Sequence, residues 1–158
     1  MSKRDRTRSR EMALQVLYQA DLLGDACLED LEATLRGDGH PAEVVDYAFD
    51  LARGVRARVA EIDARIAAAA RHWSVPRMAV LDRNTLRLGI EELLRHPEVP
   101  PRVVINEAIE LAKRFSTGSS GAFVNGVLDR VRRDLEADGL LAPIPPAAGA
   151  DDGAPAGA

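Results

Sequence analysis

Apolar residues along this chain recur at steps of three and four. Ala13, Val16, Leu17, Ala20 and Leu23 mark one face of a helix running from about residue 8 to residue 23, with Gly24 as its stop. Leu28, Leu31 and Leu35 form a shorter stripe that ends at Gly37, and the run Gly37-Asp38-Gly39-His40-Pro41 breaks the chain there. Pro41 suits the first turn of the helix that follows. That helix is long: Val44, Ala48, Leu51, Val55, Val59, Ile62 and Ile66 keep to one face. Gly54 lies in its middle, where glycine costs about 1 kcal/mol relative to alanine, and so marks a close helix contact or a bend.

Trp73-Ser74-Val75-Pro76 interrupts this pattern, and Ser74 is a candidate cap for the next helix. Ala79, Leu86, Ile90, Leu93 and Leu94 carry that helix to His96-Pro97, where the residue before a proline is pushed out of helical geometry. Pro100-Pro101 opens another helix. Val104, Ala108, Leu111 and Phe115 line one of its rows and Ile105, Ile109 and Ala112 the next, a width that predicts a central position. After the loop Ser116-Thr117-Gly118-Ser119-Ser120-Gly121, a last helix places Phe123, Val127, Val131 and Leu135 in register as far as Gly139. No segment alternates with period two, so the fold class is all-α. Residues 142–158 hold seven Ala, four Pro and three Gly, a composition that predicts a disordered tail from about residue 140.

Composition narrows the function. A chain of 158 residues suits one domain, or one built from two small halves. Aromatic residues make up 4%, which argues against a wide base-stacking platform, and the single Cys27 excludes a disulfide framework or a multi-cysteine zinc site. No apolar run approaches the roughly 18 residues of a membrane span, and the charged start lacks the apolar stretch of a secretory signal. The expectation is a cytoplasmic protein with no membrane partner.

The formal net charge is −4, unevenly spread. Residues 1–11 carry five basic side chains (Lys3, Arg4, Arg6, Arg8, Arg10) against Asp5 and Glu11, a balance of +3, which leaves −7 for the remaining 147 residues. A basic flexible arm over residues 1–10 on an acidic body is the asymmetry of a local polyanion contact. The same feature also describes an ordinary solvated terminus. Arginine outnumbers lysine 19 to 2, which supplies planar donors that grip phosphate and stack on bases.

Catalytic constellations are absent from the pattern. His40, His72 and His96 lie in or beside loops with no second metal ligand at helical spacing, and there is neither a G-x-S-x-G elbow nor a P-loop. Cys27 has no nearby histidine and reads as a space-filling residue beside the second helix. Glu107 and Glu110 are three residues apart, but Glu110 precedes Arg114 by four, a surface ion-pair spacing, and Glu107 sits near a helix start that favours negative charge. The Ser/Thr/Gly loop leads into a helix N-terminus just after Lys113 and Arg114. It reads either as a connecting loop with a serine cap or as a phosphate contact that would complement the arm. No catalytic residue, metal site or cofactor is expected.

Three runs carry a specific resemblance: Ile105-Asn106-Glu107-Ala108-Ile109-Glu110-Leu111-Ala112-Lys113, Phe123-Val124-Asn125-Gly126-Val127-Leu128-Asp129, and Asp82-Arg83-Asn84-Thr85-Leu86-Arg87. In this order, after an arginine-rich start followed by Ala13, Gln15, Leu17 and Tyr18, they resemble the NusB family of bacterial transcription antitermination factors over about residues 4–135. The resemblance implies two packed helical bundles of about seven helices, an N-terminal bundle over about 11–70 and a C-terminal one over about 74–139. It implies a non-enzymatic protein that pairs with the ribosomal protein NusE. The pair would bind the single-stranded boxA element of nascent RNA and join an antitermination complex on RNA polymerase, supporting ribosomal RNA synthesis; a homodimer is a further state the resemblance allows.

Carried onto this chain, the resemblance makes Arg4, Arg6, Arg8, Arg10, Tyr18, Arg87, Lys113, Ser120 and Phe123 the RNA-contact candidates, and Asp82 and Glu91 the candidates for a basic protein partner. Ala122, Glu91 and Gly89 stand where the family more often has a basic residue, an aromatic and an alanine. Asn106 and Asn125 are expected to satisfy buried backbone groups between helices. Arginines on a flexible arm can follow a single-stranded backbone, and neutralising four or five phosphates gives a slope of log K against log salt of about −3. Two rival readings are an accessory domain of a ribosomal RNA methyltransferase, for which no cofactor motif follows the bundle, and a structural helical module that does not bind RNA.

Overall fold

The computed structural model describes residues 1–142, so the Ala/Pro/Gly stretch from 143 to 158, which holds most of the expected tail, lies outside the described residues. Seven α-helices follow in order: α1 (Lys3–Leu23), α2 (Cys27–Gly37), α3 (Ala42–Ala57), α4 (Val59–Ala69), α5 (Val80–Arg95), α6 (Pro101–Phe115) and α7 (Ser120–Ala137), with a short 3-10 turn at Val75–Arg77 before α5. Among the described residues there is no strand.

The first helix starts earlier than the apolar stripe suggests. The Ser2 hydroxyl accepts the Asp5 N–H at 3.1 Å, a capping bond that satisfies one of the free amides of the first turn. The same hydroxyl donates to the Asp5 carboxylate at 2.8 Å and holds that carboxyl below its ordinary range. Residues 3–10 are therefore two turns of regular helix and not a flexible arm.

The long third helix expected from the apolar spacing is two helices. Arg58 leaves helical geometry at φ −119° and ψ 22°, and its N–H bonds both Gly54 and Val55 carbonyls. Val55 and Val59 remain four apart across this break, so a count of apolar spacing passes over it. After the break α4 packs against α5 and α7 more than against α3, which moves it out of the N-terminal bundle. α1, α2 and α3 form one bundle and α4 to α7 the other.

α5, not α6, is the central helix. It touches α1, α3, α4, α6 and α7, and every residue from Asn84 to Leu93 is buried. α6 packs on α5 and α7 with Arg102, Asn106 and Glu110 left on its outer side. The apolar pattern undervalues α5 because Asn84, Arg87, Glu91 and Glu92 interrupt it, and these are buried only because each finds a polar or charged partner. Ser74 makes no capping bond; the chain takes the 3-10 turn first, and α5 starts at Val80.

Close backbone approach is visible at two glycines. A Cβ at Gly54 would overlap the Glu91 carboxylate and the Arg58 guanidinium, and one at Gly89 would come 3.0 Å from Leu128 Cδ1 on α7. At the other end of the molecule α7 closes with Gly139 at φ +73°, Gly139 N–H on the Glu136 carbonyl and Leu140 N–H on the Leu135 carbonyl at 2.9 Å. Leu141 still packs against the core, so ordered structure extends past residue 140.

Candidate nucleic-acid interface

The helical geometry of α1 divides its arginines. Arg4 and Arg8 are one turn apart and exposed, as is Lys3, and none of the three has a carboxylate within ion-pair distance among the described residues. Arg6 and Arg10 lie on the opposite side. Arg6 is half-buried with its guanidinium 5.3 Å from the centre of the Tyr47 ring. Arg10 is 3% exposed, and its Nε donates to the two Glu92 carboxylate oxygens at 2.9 and 3.1 Å.

Glu92 also accepts the Tyr47 hydroxyl at 2.6 Å. Burial and the Glu92 carboxylate push that hydroxyl's pKa far above its ordinary value. Glu107 of α6 completes the cluster, 3.7 Å from Arg10 Nη1 and accepting the Thr7 hydroxyl at 3.1 Å. Glu107 is thereby a tie between α6 and α1 rather than an acid at a helix start.

Two further candidates are internal. The Arg87 guanidinium donates two bonds to Asp63 of α4, both 2.8 Å, and a third to Asn84 Oδ1 at 3.2 Å. Asn84 Nδ2 and Arg56 both donate to Asp21 of α1, at 2.9 and 2.7 Å, which closes a network across α1, α3, α4 and α5. Glu91, a candidate for the protein partner, is 1% exposed and pairs with Arg58 over Gly54. Arg10 and Arg87 as RNA contacts and Glu91 as a partner contact are corrected by the structure: all three side chains are buried, and each charge is met within the fold, by Glu92, Asp63 and Arg58 in turn.

The loop between α6 and α7 is held by its own hydroxyls. Ser116 Oγ donates to Asp82 at 2.7 Å, and Ser120 Oγ, also buried, lies 3.0 Å from the hydroxyls of both Ser116 and Thr117. Asp82 and Ser120 thus shape the loop. Lys113 is exposed, 3.7 Å from Glu110, and its aliphatic stem runs over Gly121. Arg114 pairs with Glu11 of α1 instead of the expected Glu110.

Aromatic side chains flank this loop on both sides. Tyr18 is 44% exposed and, with Phe115, Leu14 and Leu81, lines a groove of about 460 Å³ edged by Glu11 and Gln15. On the other side Trp73 and Phe123 meet edge to face, 5.5 Å between ring centres at 65°, in a second groove of similar size. Leu81 and Phe115 line the first groove, and the next residues in each case, Asp82 and Ser116, are bonded to each other beside the second. The structure brings Tyr18 and Phe123 to the two sides of one loop. It adds Phe115 and Trp73, which the apolar pattern assigns to a helix face and to a helix break.

The motif asparagines face solvent: Asn106 and Asn125 are exposed, and the buried role falls to Asn84. Among the described residues no group of three His, Cys, Asp or Glu side chains is placed to hold a metal ion, and no helix is long and apolar enough to cross a membrane.

The model of the NusB family matches residues 7–133. The transcription antitermination protein NusB of Anaeromyxobacter dehalogenans strain 2CP-1 is 48% identical over 132 residues, covering 82% of this chain and 92% of its own length. That of Desulfosudis oleivorans is 44% identical over 138 residues, covering 82% of this chain and 86% of the relative. A solved structure of NusB from T. maritima superposes with a TM-score of 0.72 at 38% identity, over 82% of this chain and 91% of that one. A crystal structure of the antitermination factors NusB and NusE in complex with dsRNA contains a chain that superposes with a TM-score of 0.73 at 30% identity, over 84% of this chain and 99% of the other.

Proposed function

Since the chain belongs to the NusB family of transcription antitermination proteins, we propose that it works by binding, not catalysis: together with the ribosomal protein NusE it holds boxA-type single-stranded RNA. The pair would join an antitermination complex on RNA polymerase and support transcription of ribosomal RNA operons. The observation that carries this reading is the exposed set Lys3, Arg4 and Arg8 on α1, the helix whose Tyr18 shares an open groove with Phe115 of α6. Cations along a backbone and exposed rings for unstacked bases are the two elements single-strand recognition needs. Phe123 and Lys113 extend the strip beyond the α6–α7 loop, with Asp82 and Ser120 holding that loop in shape.

The test is binding of a labelled boxA-type oligonucleotide, with and without NusE, across a salt series. Each phosphate neutralised on a single strand contributes about 0.7 to the slope of log K against log salt, so neutralising Lys3, Arg4 and Arg8 together is expected to flatten it by about 2. Arg6→Ala is expected to leave the slope unchanged, because its guanidinium sits over Tyr47. Absence of binding with and without NusE would return the protein to a structural module.

A further inference from the structure

We infer that the groove between Trp73 and Phe123 takes one unpaired nucleobase, stacked on the Trp73 indole, with Arg77 on the adjoining phosphate; this rests on the RNA-binding reading above. Trp73 is 62% exposed although it is a large aromatic; its backbone N–H bonds the Ala70 carbonyl at 3.0 Å, and the edge-to-face contact with Phe123 props the ring from one side. Arg77 lines the same groove at the end of the 3-10 turn, exposed and without a carboxylate partner among the described residues. Ser119, whose side chain makes no capping bond to α7, and Asp82 supply a hydroxyl and a carboxylate at the rim that can meet a base edge.

This mixture selects the occupant. An apolar side chain from a protein would cover the rings but leave the Arg77 guanidinium and the Ser119 hydroxyl without water or partner, at a cost. A nucleotide offers a π-face, an edge with donors and acceptors, and a phosphate. The groove also lies directly across the Ser116–Asp82 bond from the Tyr18–Phe115 groove, so one extended strand can pass from the α1 cations over both.

Trp73 is the chain's single tryptophan, so the emission this chain contributes, taken as the difference from a Trp73→Phe control with the same NusE, reports this site. Fluorescein-labelled boxA-type RNA is titrated into the full chain with NusE, reading label anisotropy and tryptophan emission together. The expected result is quenching of emission that tracks the anisotropy, an affinity about tenfold lower in Trp73→Ala with the salt slope unchanged, and near-complete recovery in Trp73→Phe. Arg77→Ala is expected to flatten the slope by about 0.7.

RNA bound at full affinity by Trp73→Ala, with wild-type emission unquenched, would overturn the inference and leave the RNA reading intact. Loss of NusE capture in Trp73→Ala with RNA affinity unchanged would overturn it in favour of a protein dock. No anisotropy change in the wild type would overturn both readings together.

Discussion

Replacing Arg10 separates a buried anchor from a surface cation in the basic N-terminus. Arg10 and Glu92 are 3% and 2% exposed and joined by two hydrogen bonds of 2.9 and 3.1 Å, with Tyr47 as the other donor to Glu92. Arg10→Ala would leave the Glu92 carboxylate buried with a neutral donor only and would unpair Glu107 on the same side. Breaking a buried pair by removing one member costs about 3–5 kcal/mol, a large share of the roughly 5–15 kcal/mol that holds a domain folded. With a urea slope of about 2 kcal/mol/M, the unfolding midpoint is expected to fall by about 1.5–2.5 M. Glu92→Gln placed on top of Arg10→Met is expected to recover much of the loss, because the Glu92 charge is then gone and only the less buried Glu107 loses its pair. Arg4→Ala and Arg8→Ala are expected to stay within about 0.5 kcal/mol of the parent, since both are exposed and neither has a carboxylate within ion-pair distance among the described residues. An Arg10→Ala protein that unfolds at the parent's midpoint while losing RNA affinity as Arg8→Ala does would refute the buried anchor and make Arg10 a surface contact.

Two glycines are expected to respond in opposite directions in the same urea assay. Gly54→Ala has to displace the Glu91–Arg58 pair and should cost about 1–3 kcal/mol, whereas Gly126, inside α7 with nothing within 4 Å of where a Cβ would stand, should gain about 0.5–1 kcal/mol as alanine. A neutral Gly54→Ala would contradict the close approach of α3 to α5. Glu32 gives a pH test: hydrogen bonds from Arg53, and then Arg36, hold its carboxyl below the ordinary 4.5. A depressed folded-state value means its contribution is complete above the unfolded carboxyl's 4.5 and disappears as pH falls through the lower folded value. Glu32→Gln should therefore melt below the parent at pH 7, with the gap narrowing as pH falls below 4.5; a gap that does not narrow in acid would point to packing instead of charge.

Whether a residue's place can be read from the sequence depends on whether its fate follows from its own periodicity. α6 and α7 can be bounded from the sequence because each has a proline or a glycine-rich loop at one end and an unbroken apolar stripe after it. The break at Arg58 cannot, because the stripe keeps its step of four across it. The centrality of α5 is hidden for a related reason: its buried face carries Arg87, Glu91 and Glu92, and a charge is legible as interior only once its partner, tens of residues away, is known. The same blindness places Asn106 and Asn125 inside and passes over Asn84, since an asparagine's burial is decided by what crosses over it. Two of the departures from the family's usual residues turn out to be glycine contacts on one helix: Glu91 sits over Gly54, and Gly89 lets Leu128 close in.

The division of α1 has a consequence for how RNA would be held. In a helix, residues four apart share a face, so Arg4 and Arg8 can both look outward only if Arg6 and Arg10 turn inward. The inward pair then anchors the helix, Arg10 through Glu92 and Arg6 through Tyr47, and Thr7 adds the bond to Glu107 of α6. A flexible arm would have to lose its backbone freedom each time it met a phosphate; here that freedom is already gone, and the outward cations need only fix their side chains. The cost is fewer cations in contact, with Lys3, Arg4 and Arg8 available where a disordered segment could also use Arg6 and Arg10. Affinity under this arrangement must come in greater part from rings that do not respond to salt, which places the weight of recognition on the exposed aromatics beside α1 and beyond the α6–α7 loop.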